Sequence, residues 1–163
     1  MEVREVMTAR VQCCTPDDSL EHAARLMWDN DCGCLPVCTV ADGKAPAIGL
    51  ITDRDICMCA LFQGAPLSAL HVHQAMTDRL LACHPGDTLE QAEQVMRQGQ
   101  VRRLPVLSAE GQLLGIVSLA DLARTAAREG TTRIIGHDIS ESEVGHTLAV
   151  ICQRQVVPAA VAL

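Results

Sequence analysis

Shifted by 69 positions the chain overlays itself, and this internal repeat limits what it can fold into more than any other feature. Met7-Thr8 falls on Met76-Thr77, and Leu35-Pro36-Val37 falls on Leu104-Pro105-Val106. Between these anchors Arg10, Cys14, Pro16, Asp18, Leu20, Glu21, Ala23 and Met27 meet Arg79, Cys83, Pro85, Asp87, Leu89, Glu90, Ala92 and Met96. That makes 13 identities in the 31 positions from 7 to 37, far beyond coincidence. Past Val37 the offset drops to 66, because the first copy carries three extra residues around Ala41-Asp42-Gly43-Lys44. Gly49-Leu50-Ile51-Thr52-x-x-Asp55 then matches Gly115-Ile116-Val117-Ser118-x-x-Asp121.

Each copy reads the same way. Pro16-Asp17-Asp18 is a turn, and Asp18 with Glu21 three residues on predicts a capping box. The helix it opens carries Leu20, Ala23, Ala24 and Met27 at helical spacing, a core face. A strand is expected near 35–40, a Gly-containing turn, a strand over 48–52, and a helix capped by Thr52 or Asp53 running to Phe62. Copy two predicts a helix over 89–97, strands near 104–107 and 113–117, and a helix from Ser118 to Arg128 ended by Gly130. The order in each copy is β-α-β-β-α, an α+β unit. Units of ~60 residues bury too little surface to be stable alone, so modules over 1–64 and 65–130 are expected to pack sheet to sheet. Residues 131–163 lie outside the repeat. Ser140 with Glu143 predicts a helix over 141–153, and a dimer-contacting helix and a loosely attached tail both stay open.

The filling of these modules is aliphatic: 48% of residues are hydrophobic, with one Trp, one Phe and no Tyr. Aromatic platforms for single-stranded bases are missing, and 20 acids against 13 bases, a charge of −7, argue against a protein that neutralises a phosphate backbone. No nucleic acid is expected as a partner. No apolar run reaches the ~20 residues that span a bilayer, and the tail Val156 to Leu163 is interrupted by Pro158. No membrane association is expected.

The chain starts with acids where a secretory leader would be apolar, and it holds nine cysteines, so a reducing cytoplasm is the expected compartment. Cys32-Gly-Cys34 and Cys57-Met-Cys59 lie in apolar runs without any Cys-x-x-Cys and read as buried thiols, not metal ligands or disulfides. Cys14 and Cys38 are candidates to approach each other. Trp28 reads as a core or dimer contact more than a cleft rim. His71-Val-His73 and Cys83-His84 read as solvated side chains, so no metal site is assigned. No phosphate-binding loop, dinucleotide fingerprint, nucleophile elbow or His-Glu-x-x-His occurs, so no catalytic residue is assigned and no enzyme is expected.

The duplicated succession Val-Met-Thr, Pro-x-Asp-x-Leu-Glu-x-Ala, Leu-Pro-Val and Gly-Leu-Ile-Thr-Asp-Arg-Asp, then Met-Thr, Pro-Gly-Asp-Thr-Leu-Glu, Arg-Arg-Leu-Pro-Val and Gly-Ile-Val-Ser-x-x-Asp, resembles a tandem CBS-domain pair, or Bateman module. The resemblance covers residues 3–128 and leaves the C-terminal segment uncovered. It implies two modules related by a pseudo-twofold axis, with two clefts that take AMP, ADP, ATP or S-adenosylmethionine. It implies that Thr52 and Ser118 face phosphate and that Asp55 and Asp121 hold ribose hydroxyls. It also nominates Val11, Gln12 and Cys13, and Leu80, Leu81 and Ala82, as adenine-side walls, and a homodimer whose four modules form a flat disc.

The chemistry agrees with this reading. A carboxylate can accept from both ribose hydroxyls, and a hydroxyl beside the free N–H groups of a helix start suits a phosphate. The same Ser/Thr-x-x-Asp spacing is also a plain capping box that needs no ligand. Arg102 and Arg103 precede Leu104, where guanidinium groups suit phosphate, whereas Gly33 and Cys34 precede Leu35. Arg54 sits inside the first motif. The Asp121 cleft is therefore expected to be the better polyphosphate site, although both arginines can equally be solvated or paired with acids. The expected function is a stand-alone regulatory module that senses an adenine ligand, with no other cofactor, and signals to a partner protein through its shape or its dimer geometry. Two alternatives stay open: a metal- or redox-responsive protein using Cys and His, and a ligand-free interaction module.

Overall fold

The computed structural model describes residues 1–9, 11–40, 46–131 and 139–152. Arg10, the insertion around 41–44, Gln153 and the tail from Val156 to Leu163 lie outside the described residues. The chain begins with one helical turn, α1 (Val3–Val6), and a two-residue strand, β1 (Thr8–Ala9). Ser19 then accepts from the His22 N–H and opens α2 (Leu20–Asp29), which buries Leu20, Ala23 and Met27 at i, i+3 and i+7. The cap is thus Ser19 and not Asp18, whose carboxylate accepts from the Thr15 N–H at 2.7 Å and closes the preceding turn.

A hairpin follows, β2 (Cys34–Cys38) and β3 (Ala47–Thr52), with Leu35 opposite Ile51. Thr52 caps α3 (Asp53–Gln63), and Gly64 ends it with φ 61°, a left-handed position that favours glycine. Short 3₁₀ turns at Leu67–Ala69 and Val72–Gln74 lead into the second copy. That copy comprises α4 (Leu89–Gly99), capped by Thr88, then β4 (Arg103–Leu107), β5 (Leu113–Ser118) and α5 (Leu119–Thr131). Helix α5 runs through Gly130 to Thr131, so Gly130 does not end it; a glycine weakens a helix by ~1 kcal/mol without forcing a stop. Finally Ser140 caps α6 (Glu141–Ile151), with Glu143 completing the box.

The leader of each copy is built into the other copy. Strand β1 joins the free edge of β5, with Thr8 opposite Ile116 and Ala9 opposite Gly115. Thr77 does the same to β3, exchanging N–H···O bonds of 2.9 and 3.2 Å with Leu50. Val3 is accordingly buried in the second module with Leu89, Met96 and Leu104, and Val72 in the first with Leu20 and Leu35. On the opposite sheet edges Cys14 bridges Val37 and Cys83 bridges Val106, both parallel. The two sheets meet over a small cluster of Cys13, Cys38 and Leu113, flanked by Val11, Ala47 and Leu107. The result is a pseudo-twofold pair of α+β modules.

Helix α6 breaks the symmetry. It packs across α4 and α5 and buries Ile139, Val144, Thr147 and Ile151, so it is a cover on the second module and not a loose tail. Inside this contact the Thr147 hydroxyl donates to Glu93 Oε1, and both residues are buried. Trp28 is 86% exposed at the end of α2, where it rims a cavity with Met27, Gly33 and Asp53, and so is not a core residue. No helix among the described residues is long and apolar enough to cross a membrane.

Candidate functional site

Both Ser/Thr-x-x-Asp turns close as reciprocal caps. At the start of α5 the Ser118 N–H and Oγ donate to Asp121 Oδ2 at 2.8 and 2.6 Å, and the Asp121 N–H returns to Ser118 Oγ at 3.3 Å. At the start of α3 the Thr52 N–H and Oγ1 donate to Asp55 Oδ2 at 2.9 and 2.6 Å. The second turn is the more enclosed: Asp121 is 8% exposed, and Arg124 pairs with its Oδ1. A carboxylate and a hydroxyl thus stand together at each of two helix openings, beside backbone N–H groups that favour anions.

Two clefts lie between the modules, and the Ser118–Asp121 turn lines one of them. One cleft, of about 370 Å³, is lined by Ser118, Asp121 and Arg124, by Thr8, Val11 and Gln12 of the first copy's leader, and by Cys32, Cys34 and Leu35. The other, of about 530 Å³, is lined by Leu50, Thr77, Arg79, Leu80, Leu81 and Val101. Thr52 and Asp55, expected to face a ligand, are half-buried at the end of β3 and the start of α3 beyond Leu50, and line neither cleft. Both volumes fall in the ~300–1,000 Å³ range of small-molecule sites. Their walls mix aliphatic with polar side chains, Asn30 and Asp31 among those of the first and Gln98 among those of the second, and among the described residues carry no aromatic ring.

The residues nominated from sequence separate into groups. Val11 and Gln12 line the 370 Å³ cleft, and Leu80 and Leu81 the 530 Å³ cleft. Cys13 does not, because it is buried where the two sheets meet, and Ala82 lines neither cleft. Arg102, in the bend before β4, lines neither cleft; its guanidinium lies 3.7 Å from Cys152 Sγ, in a separate cavity that it shares with Arg103, Val144 and Leu148. Arg103 lines both clefts. Arg54 is exposed on the first turn of α3 and lines neither. Arg124 and Arg79, which the motifs do not single out, each line a cleft. The i, i+3 spacing from Asp121 signals the first, and its identity with Arg10 in the repeat signals the second.

None of the nine cysteines forms a disulfide; of the four expected to be buried only Cys34 is, while Cys32 and Cys59 are half-buried and Cys57 is exposed on α3. Burial pushes the Cys14 and Cys83 thiols up from 9.0 to about 12, helped by Asp18 and Asp87 respectively. Burial likewise raises Cys34 to about 11, against a lowering influence from the Arg103 charge. Cys14 and Cys38 do approach, through the backbone: the Cys38 N–H donates to the Cys14 carbonyl at 2.8 Å. The His71 and His73 rings stack 5.7 Å apart, with Nδ1 atoms 2.9 Å from the Asp17 carbonyl and 3.0 Å from that of Pro16. Among the described residues no three potential metal ligands converge.

Comparison with known proteins agrees with this architecture. The CBS domain family matches residues 3–60 and 72–128. The CBS domain-containing protein YhcV of Bacillus subtilis is 37% identical over 121 residues, 74% of this chain and 82% of that protein. The crystal structure of Hypoxic Response Protein I with two coordinated zinc ions superposes with a TM-score of 0.66 and 33% identity, covering 76% of this chain and 98% of that one. CBSX2 of Arabidopsis thaliana in complex with AMP superposes with a TM-score of 0.67 and 26% identity, covering 79% and 98%. With both repeats matched in full order, the chain belongs to the CBS-domain family, as a tandem pair.

Proposed function

We propose that this chain is a regulatory CBS pair that binds an adenosine-containing ligand, AMP, ADP, ATP or S-adenosylmethionine, in the clefts between its modules. It carries out no reaction and needs no other cofactor. The observation that carries the reading is the construction of the 370 Å³ cleft, where Ser118 and Asp121 at the start of α5 face Val11 and Gln12 from the other copy's leader. The AMP complex of CBSX2, on the same fold, supports this ligand class. In the 370 Å³ cleft Asp121 takes the ribose, the α5 opening and Arg103 take phosphate, and Val11, Leu35 and Ile116 hold the base; Asp55 takes the second ribose only if that ligand reaches past Leu50 to the start of α3. Because each cleft is walled by both modules, a ligand that fits one arrangement better shifts the pair toward it. A homodimer with twofold symmetry and a partner protein read that shift. Nine cysteines without a disulfide fit a reducing cytoplasm, and the acidic balance of 20 acids to 13 bases fits a protein without nucleic-acid partners.

A thermal-shift panel of AMP, ADP, ATP and S-adenosylmethionine tests this. A ligand at 100 times its Kd adds ~2.7 kcal/mol of stability, a shift that Asp55→Ala with Asp121→Ala removes. No shift with any ligand, or an unchanged shift in the double variant, overturns the proposal.

A metal-responsive role is the second reading, favoured by the zinc ions of Hypoxic Response Protein I. Here His71 and His73 each direct Nδ1 to a carbonyl, which makes Nδ1 the donor and leaves Nε2 free to ligate. Metal analysis of anaerobically purified protein decides it: zinc lost in His71→Ala with His73→Ala supports this reading, and metal-free protein ends it.

A further inference from the structure

The repeat is broken where charge matters. Arg103 opens β4, and its counterpart at the start of β2 is Cys34. The pseudo-twofold therefore sets a guanidinium on one side and a thiol on the other. Arg103 is exposed and lines the 370 Å³ cleft with Ser118 and Asp121 as well as the 530 Å³ cleft with Leu80 and Leu81. One of its terminal nitrogens lies 3.9 Å from where a Cβ on Gly33 would stand, so the head group reaches across to the first module and sits between the clefts. Among the described residues the other arginines lining these clefts are not shared: Arg124 lines only the 370 Å³ cleft and is paired with Asp121, and Arg79 lines only the 530 Å³ cleft. Cys34 is a buried thiol, a group with no cationic form, so the symmetry-related position offers no second positive charge.

We infer that Arg103 is a phosphate-reading residue common to both clefts, so that two phosphorylated adenine ligands compete for one guanidinium and bind with negative coupling. The inference rests on the proposed adenine-ligand reading. A guanidinium engages one phosphate at a time in its bidentate geometry. Once it turns into one cleft, the other loses its charge-assisted bond, and reciprocity makes the penalty the same whichever cleft fills first. Adenosine, which has the base and ribose but no phosphate, does not draw on Arg103 and so binds the two clefts without this penalty.

Calorimetric titration of the full chain with AMP and with adenosine tests the inference through the ratio of the second to the first Kd. The two clefts differ in shape, so the adenosine ratio sets the reference. The AMP ratio is expected to exceed it by roughly 5- to 150-fold, the usual span of coupling between sites. Arg103→Gln is expected to weaken AMP and to bring its ratio down to the adenosine value. Cys34→Arg, which restores the symmetry with a second guanidinium, is expected to lower the ratio while keeping tight binding. Because Cys34 is buried and arginine there can unfold the module, the exposed Arg103→Gln decides. Equal ratios for AMP and adenosine, or an AMP ratio unchanged in Arg103→Gln, overturn the shared arginine and leave the adenine-ligand reading standing. Failure of every adenine ligand to bind overturns both.

Discussion

The carbonyl oxygen of Thr8 lies so close to Gly115 that a Cβ built there would stand 2.6 Å from it; Thr77 and Gly49 repeat the relationship at 2.5 Å. Each glycine opens a Gly-x-x-[Ser/Thr]-x-x-Asp motif, and each carbonyl belongs to a leader arriving from the other copy. The motif glycine is thus the place where the modules are stitched, directly beside the clefts that Thr8 and Thr77 help to line.

Gly115→Ala is expected to cost ~1–3 kcal/mol, because the methyl meets backbone, which cannot step aside as a flexible side chain does. Gly145→Ala is the control. It lies inside α6 with nothing within 4 Å of a new Cβ, and is expected to gain up to ~1 kcal/mol of helix propensity. Urea denaturation of both variants checks this, and equal effects would show that the crossing strand does not select glycine.

Thr147→Val keeps the shape of the α6 contact but removes the hydroxyl that Glu93 accepts from. With a buried carboxylate deprived of that bond, a loss of ~1–3 kcal/mol is expected. Adding Glu93→Leu should recover most of it, since replacing both partners removes the unmet polar group. A double variant no more stable than Thr147→Val would refute this account of how α6 is held.

Ser118→Ala and Asp121→Ala each remove one half of the same cap and are expected to cost ~0.5–2 kcal/mol without any ligand. Together they should cost less than their sum, because they share the bonds between them. Comparing melting of the free protein with the ligand-induced shift separates capping from binding, since only the second reports the cleft.

The raised thiols predict both reactivity and pH dependence. Exposed Cys57 and Cys152 are expected to react first with a thiol reagent at pH 8, and Cys14, Cys34 and Cys83 only on unfolding. Below pH 9.0, the ordinary thiol value, both states keep these protons and stability is unaffected. Above it the unfolded chain gives up protons that the folded chain retains, so stability falls from pH 9.0 toward the folded values of about 11 and 12. Tm measured from pH 8 to 11 checks the sign; a Tm that rises over this range contradicts it.

The helices and hairpins were readable because the signals that specify them are local. The Leu20, Ala23 and Met27 stripe, the Thr52 and Ser118 caps, and the Ser140–Glu143 box each lie within one or two turns of chain. Even there, adjacent Asp18 and Ser19 both suit a cap, and the choice between them depended on the turn that Asp18 closes with Thr15. The cleft walls were partly legible: Val11, Gln12, Leu80 and Leu81 line them, whereas Cys13, Ala82 and Arg102 do not.

By itself the sequence determined two copies of one α+β unit, their capped helices, an aliphatic interior and the paired Ser/Thr-x-x-Asp turns. Tertiary structure alone decided that each leader crosses to the other module, that α6 covers only the second, and that Arg103 faces both clefts while Arg102 faces neither. The physical reason is range. Periodicity and capping act over three or four residues, whereas the clefts are made by segments as far apart as Leu50 and Thr77 or Thr8 and Ile116, whose side chains alternate in direction along a strand, so their membership exists only once long-range pairing has set the register.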